Sequence, residues 1–325
     1  MEVKKISSAS AQEWEKALRD FPHSFFHTLD CITSVYKLSE YECDLYLFSM
    51  GKSAAAVPLI ARKYIGKTDL VTPYGYSGII FKNYTSEFLD NVYAYFESKN
   101  IVSSYISNHP TYTHTASLEH ASFYKKNSSF VIDCSLGLGT LVENLCGSRK
   151  SQVKLKDGCE FIYEKEQLTD KFIELYVESM KMKSVSGFHL FSEETLNGLI
   201  SSTKTFLIGV KYKGVLVSIS LFGGTLHVCD FLLNGAHPNG RKYSSAILWE
   251  AVKKTKYDGI GYFNLGGGMH INDSLDQYKS RFGGLRMEFG AFKAVHDLQE
   301  YKVILKNRNI DYSDDYSGFF PIYYK

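Results

Sequence analysis

The chain has 325 residues, 44% of them hydrophobic and 15% aromatic, which is enough apolar material for two ordered domains of about 150 residues each. Its 37 basic and 35 acidic residues leave a net charge of +2, which argues against a broad nucleic-acid footprint built on phosphate neutralisation while leaving room for local basic patches. The polar start MEVKKISSASAQEWEKALRD lacks the apolar segment of a secretory signal, and the longest apolar run, Ala54 to Ala61, is too short to cross a bilayer, so a cytoplasmic protein with no membrane span is expected. The six cysteines show no CxxC or Cys/His spacing, so neither a metal site nor a disulfide framework is indicated.

Taken in chain order, residues 11–20 and 28–38 read as helices, and 43–50 and 54–61 as a strand pair turned at Gly51-Lys52. Thr72 to Gly78, TPYGYSG, is a turn-rich aromatic loop; it is either an ordinary corner or a place where Tyr74 and Tyr76 stack on a base or sugar. Residues 86–98 form a helix with Phe88, Leu89, Val92 and Phe96 on one stripe, and Ile101 to Ile106 a buried strand. His109 stands just past that strand, in a loop position that most often marks a surface residue, yet imidazole suits proton abstraction near neutral pH. A basic run from Ser148 to Lys156 follows; it is either a solvated helix face or an anchor for a diphosphate, with Arg149 and Lys150 as contacts. The domain boundary falls near 136–150, dividing the chain into 1–147 and 148–325.

The second half repeats the theme. A helix over 169–182 precedes strands at 205–211, 215–222 and 226–233, with tight turns at Lys213-Gly214 and Gly223-Gly224 that make an antiparallel meander. Asp230 lies inside the third strand, as a satisfied structural acid or as a base with a raised pKa. The join to helix 244–257 reads His237-Pro238-Asn239-Gly240-Arg241-Lys242-Tyr243-Ser244-Ser245; a helix start with a close-approach glycine, capping serines and two cations is a site for phosphate oxygens, although many helices begin this way. Strand 260–265 then leads into Gly266-Gly267-Gly268 and a short helix, with a last strand at 286–294. Helical spacing puts Leu275, Tyr278, Lys279 and Phe282 on one buried face and points Asp276 and Arg281 elsewhere. An ammonium there snorkels to water or pairs with a carboxylate, unless the glycines beside it bring backbone and ligand close.

In this order the segments resemble the Fem family of peptidoglycan-bridge aminoacyltransferases and their acyl-CoA-using relatives. TPYGYSG, SRKSQVKLKDG and FIELYVESMKMK with GFHLF each resemble a family segment, and NLGGGMHINDSLDQYKSRFGG is similar to the family's LGG…DSL…FK…F signature. The resemblance implies an α+β fold of two tandem GNAT-like domains packed on each other. It also implies that Lys279 stabilises the charge of the acyl-transfer intermediate, that Tyr243 lies near the second-domain cleft, and that the segment with Arg149 and Lys150 lies near ligand phosphates. His189, within GFHLF, is placed with Tyr74, Tyr76, Arg149 and Lys150 on the substrate side. His109 departs from the acid that peptidoglycan-acting members carry before the proline. The triple glycine is similar to that of N-acyltransferases of surface-polysaccharide assembly. The expectation is therefore transfer from acyl-CoA, a co-substrate and not a tightly bound cofactor, to the amine of a nucleotide-linked amino sugar. Lys279 then serves the oxyanion, His109 or Asp230 the proton, and Gly240, Arg241, Lys242, Ser244, Ser245, Gly267 and Gly268 the donor. An aminoacyl-tRNA-dependent transferase acting on a peptidoglycan precursor is the alternative, and a non-catalytic binding module a third reading.

Overall fold

The computed structural model describes residues 1–37, 40–113, 115–182 and 190–325. In chain order its elements are β1 (Glu2–Ser7), α1 (Ala11–Leu18), α2 (Leu29–Val35), β2 (Glu42–Met50), β3 (Ser53–Tyr64), β4 (Lys67–Val71), β5 (Ile80–Lys82), α3 (Ser86–Ser98), β6 (Ile101–Ser107), β7 (Phe123–Asp133), α4 (Leu138–Asn144), α5 (Gly147–Gln152), β8 (Cys159–Ile162), α6 (Lys165–Met182), α7 (Glu193–Ser201), β9 (Thr205–Tyr212), β10 (Val215–Gly224), β11 (Val228–Ala236), α8 (Ser244–Tyr257), β12 (Tyr262–Asn264), α9 (Ser274–Ser280), β13 (Leu285–Val295) and α10 (Leu298–Asn307). They form two compact units, one of Met1–Ile32, Tyr36–Asn127 and Glu288–Lys325, the other of Thr33–Val35 and Ser128–Met287. The chain passes from one to the other within β7 and returns within β13, so the C-terminal segment completes the first unit, whereas the sequence reading divides the chain once, after residue 147. Among the described residues no helix is long and apolar enough to cross a membrane.

In the first unit the strands run in the order β1-β2-β3-β4-β6-β13, with β5 on β3. β4 and β6 are parallel, which requires a crossover, and α3 supplies it. The Thr85 hydroxyl caps α3 by accepting the Phe88 N–H, and the stripe Phe88, Leu89, Val92 and Phe96 is wholly buried against Phe48, Val57 and Ile106. Lys293, on β13, donates to the carbonyl oxygens of Tyr316 and Gly318 at 2.6 and 2.7 Å and so ties down the C-terminal segment.

The second unit has the order β7-β12-β11-β10-β9-β8. Its meander β9-β10-β11 is antiparallel, and α8 crosses over to β12, which pairs parallel with β11 from Val228↔Tyr262 to Asp230↔Asn264. Ile247, Leu248, Ala251 and Val252 of α8 pack with Phe222, Phe263 and Phe130 in one core. Each unit therefore carries a helical crossover into a parallel strand pair. In the second, pairing stops at Asp230 while β11 runs on to Ala236, and the other strand turns off through Leu265 into the glycines. The strands part there, and a bulge at Leu232, between the pairs Leu221↔Leu233 and Phe222↔Phe231, bends β11 at the same level.

Candidate active site

Lys279 reaches into the opening between β11 and the glycine turn. Its side chain is 7% exposed, its Nζ donates to the Gly267 carbonyl oxygen at 2.9 Å, and it lies 5.8 Å above the Phe231 ring. Burial pushes the ammonium down to about 8, against the opposing pull of Asp273 and Asp276. The glycines are required by packing. A Cβ on Gly266, which has φ +73°, would stand 2.9 Å from the Lys279 Nζ; on Gly267 it would overlap the Ser128 carbonyl, and on Gly268 the Asp273 carboxylate.

A polar frame fixes this turn. Asp230 Oδ1 accepts from Asn264 Nδ2 at 2.8 Å, and Asn264 Oδ1 accepts both the Ser129 hydroxyl at 2.5 Å and the Gly266 N–H at 2.9 Å. Asp273 caps α9, accepting the Asp276 N–H at 2.7 Å, and its other oxygen accepts the Met269 and His270 N–H groups. The burial pattern on α9 corrects one expectation: Asp276 is 1% exposed, whereas Leu275 is 42% exposed. The helix is too short to continue the apolar stripe through its first turn. Arg286 meets Asp276 at 2.6 Å, and the Asn272 N–H adds a second bond, which makes a buried carboxylate tolerable.

Beside this site is a cavity of about 520 Å³ whose lining includes Arg149, Lys154, Lys156, Arg241, Lys242 and Arg281 and contains no carboxylate. Ser151, Gln152, Tyr243, Ser245 and Tyr278 complete its wall. Arg149 is the buried member. It donates to Gln152 Oε1 and the Tyr278 carbonyl oxygen, both at 2.8 Å, and to the Ser245 hydroxyl, with its guanidinium 4.3 Å from the Tyr278 ring and 4.4 Å from the Phe282 ring. It thus joins α5, α8 and α9, and the exposed lysines and arginines around it are the groups open to a ligand. Gly240 is needed because a Cβ there would overlap the Val217 carbonyl. Ser244 and Ser245 open α8 as its first residues and do not cap it, since a 3-10 turn, Pro238–Tyr243, leads in.

Lys150, although next to Arg149, lines a different cavity with Val142 and Trp249. Tyr74, Tyr76 and His109 belong to the first unit, where the His109 ring lies 5.9 Å from that of Tyr76. His109 is 1% exposed and accepts the Thr111 N–H at Nδ1. His189 lies outside the described residues. Sequence reasoning missed Asn264, Asp276 and Arg286; an Asn next to the glycine run and an acid one turn before Lys279 were the available signals.

No protein-family model matches the sequence, and no curated protein matches it. Among solved structures, the crystal structure of FemX is similar over 94% of this chain and 100% of that one, with a TM-score of 0.70 at 13% identity. The C-terminal domain (DUF2156) of a putative lysylphosphatidylglycerol synthetase from Agrobacterium fabrum is similar over 93% and 97%, with a TM-score of 0.55 at 14% identity. L-PGS from Bacillus licheniformis covers the same shares, with a TM-score of 0.54 at 12% identity. At these identities the likeness is one of fold alone: the chain has a FemX-like α+β fold in which each of two units carries a helix-crossed parallel strand pair.

Proposed function

We propose that this chain is an acyltransferase. A free amine on the acceptor attacks the carbonyl carbon of an activated acyl group; the C–N bond forms, the bond to the leaving oxygen or sulfur breaks, and the amine's proton passes to solvent or a base. The observation that carries this reading is the buried Lys279 ammonium at the mouth of the parted strands, where it donates to a carbonyl dipole that a developing oxyanion can replace. Asp230, engaged with Asn264, holds the frame and leaves the proton to other groups.

The donor we favour is an aminoacyl ester on the 3′ end of tRNA, with an amine of a peptidoglycan precursor as acceptor. The five exposed cations around Arg149, namely Lys154, Lys156, Arg241, Lys242 and Arg281, in a wall without a carboxylate, suit a run of phosphodiesters. The fold is shared with FemX and with a protein named for lysylphosphatidylglycerol synthesis. A second reading, acyl-CoA with a nucleotide-linked amino sugar, is supported by His109 in place of the acid and by the Gly240–Ser245 turn at the start of α8. Incubation of the pure protein with radiolabelled aminoacyl-tRNA and a peptidoglycan precursor bearing a free amine, and separately with acetyl-CoA and an amino-sugar nucleotide, tests both. Label moving from tRNA supports the first reading, acylation from CoA alone selects the second, and no transfer from either contradicts the proposal.

A further inference from the structure

Lys150 stands next to Arg149 in the basic run, yet it lines a second cavity of the second unit, with a volume of about 420 Å³. Arg149 turns its guanidinium inward to the Ser245 hydroxyl and the Tyr278 carbonyl oxygen, which ties α5 down and leaves Lys150 on the side of this cavity. Leu145 and Trp249, 2% and 5% exposed, are core residues, and Val153, Leu155 and Phe161 pack against the same core. With Val142 they give the cavity an apolar lining drawn from the end of α4, the turn after α5, β8 and α8. Its volume falls within the roughly 300–1,000 Å³ of small-molecule sites.

The charged groups in the lining are Lys150, Lys154 and Lys253, with no carboxylate among them. Lys253 meets Glu250, whereas the Lys150 and Lys154 ammoniums have neither an ion pair nor a hydrogen bond among the described residues. The Val153 N–H donates to the Arg149 carbonyl oxygen at 3.0 Å and the Lys154 N–H to that of Ser151 at 3.3 Å, so the helical turn continues past α5 and brings Lys150 and Lys154, four residues apart, to one side. Like charges at this spacing repel, and an anion between them relieves the repulsion. The Trp249 indole N–H also has no acceptor among the described residues, although the residue is 5% exposed. A hydrophobic body with a negative end matches this lining. A sugar or a phosphodiester leaves the apolar walls uncovered, and a neutral hydrocarbon leaves both ammoniums unanswered.

We propose that this cavity binds a single-chain amphipathic anion, its alkyl tail among Leu145, Val153, Leu155, Phe161 and Trp249 and its carboxylate on Lys150 and Lys154. The site goes beyond the transfer reading and makes no use of Lys279, so a failure of that reading leaves it standing. The test titrates the full chain with terminally brominated dodecanoate, kept monomeric, while tryptophan emission is followed. The chain has two tryptophans; Trp14 is fully buried in the first unit, and Trp249 lines the cavity, so bromine held there quenches Trp249. The expected result is saturable quenching in the parent, with affinity roughly tenfold weaker in Lys150→Glu and roughly tenfold weaker for the brominated alcohol of the same length. The alcohol, which has no charge to place, should bind the parent and Lys150→Glu alike. Lys150 is exposed, so the variant is expected to fold, and thermal unfolding checks it; Lys150→Gln, which keeps the stem and removes the charge, gives a second reading with a smaller loss. Absence of saturable quenching overturns the proposal, as do equal affinities for acid and alcohol, an affinity that Lys150→Glu leaves unchanged, or quenching by brominated lipid in anionic vesicles but not by the monomer.

Discussion

The Lys279 ammonium donates to the Gly267 carbonyl oxygen across 2.9 Å, so its partner is a backbone dipole. A carboxylate partner would hold the charge permanently; a carbonyl holds it only until a stronger acceptor arrives. The glycine turn and the helix that carries the lysine are therefore two halves of one device, with Asn264 and Asp273 fixing the turn and Asp276 with Arg286 fixing the helix.

Lys279 makes stability depend on pH. Its folded pKa of about 8 lies below the unfolded value near 10.5, so between these limits the unfolded chain binds more protons and stability rises with pH. The penalty is complete below pH 8 and gone above about 10.5. At about 1.4 kcal/mol per pH unit, Lys279→Met is expected to exceed the parent by up to ~3 kcal/mol at pH 7, with the difference shrinking towards pH 10. Denaturant titrations of both proteins at several pH values check this; a pH-independent difference contradicts it.

Gly267→Ala drives a methyl group into the Ser128 carbonyl and is expected to cost about 1–3 kcal/mol, measured by urea unfolding. Gly139→Ala, where a Cβ meets nothing within 4 Å, is the control and stays close to the parent.

The basic cavity is expected to act on donor binding more than on chemistry. Lys154→Ala with Lys156→Ala raises KM for the donor and leaves kcat nearly unchanged, and the slope of log KM against log salt falls by about 0.7–0.9 for each phosphate that the protein no longer neutralises. Initial rates across a salt series measure it; an equal fall in kcat would assign these lysines to the chemical step.

Arg286→Met leaves the buried Asp276 carboxylate without its cation. The arginine side chain is 39% exposed, so the loss is expected near ~2 kcal/mol, below that of a fully buried pair. Adding Asp276→Leu should recover most of it, and a double-mutant cycle by thermal unfolding reads the coupling.

Much of the second unit was legible in the sequence because its signals are local. The meander turns, the apolar face of α8 and the glycine-lysine signature are each written within a few residues, and α8 runs from Ser244 to Tyr257 as the pattern states. The burial of Lys279 was legible for the same reason. Short strands such as β8, Cys159–Ile162, and β12, Tyr262–Asn264, carry too few residues for a period to show. The joining of Glu288–Lys325 to the first unit depends on contacts distant in sequence. Asp276 was misplaced because helical spacing weighs apolar residues and cannot see an arginine ten positions on, and Arg149 looked like part of a solvated run because its partners, Ser245 and Tyr278, lie far along the chain.

Single-turnover acyl transfer by Lys279→Met at saturating donor is the most direct test of the central claim that this ammonium steadies the oxyanion. The rate constant is expected to fall about 10²–10³-fold with donor affinity nearly unchanged, as for the loss of one preorganised oxyanion donor. A variant that transfers at the parent rate, with its fold intact, would contradict the account.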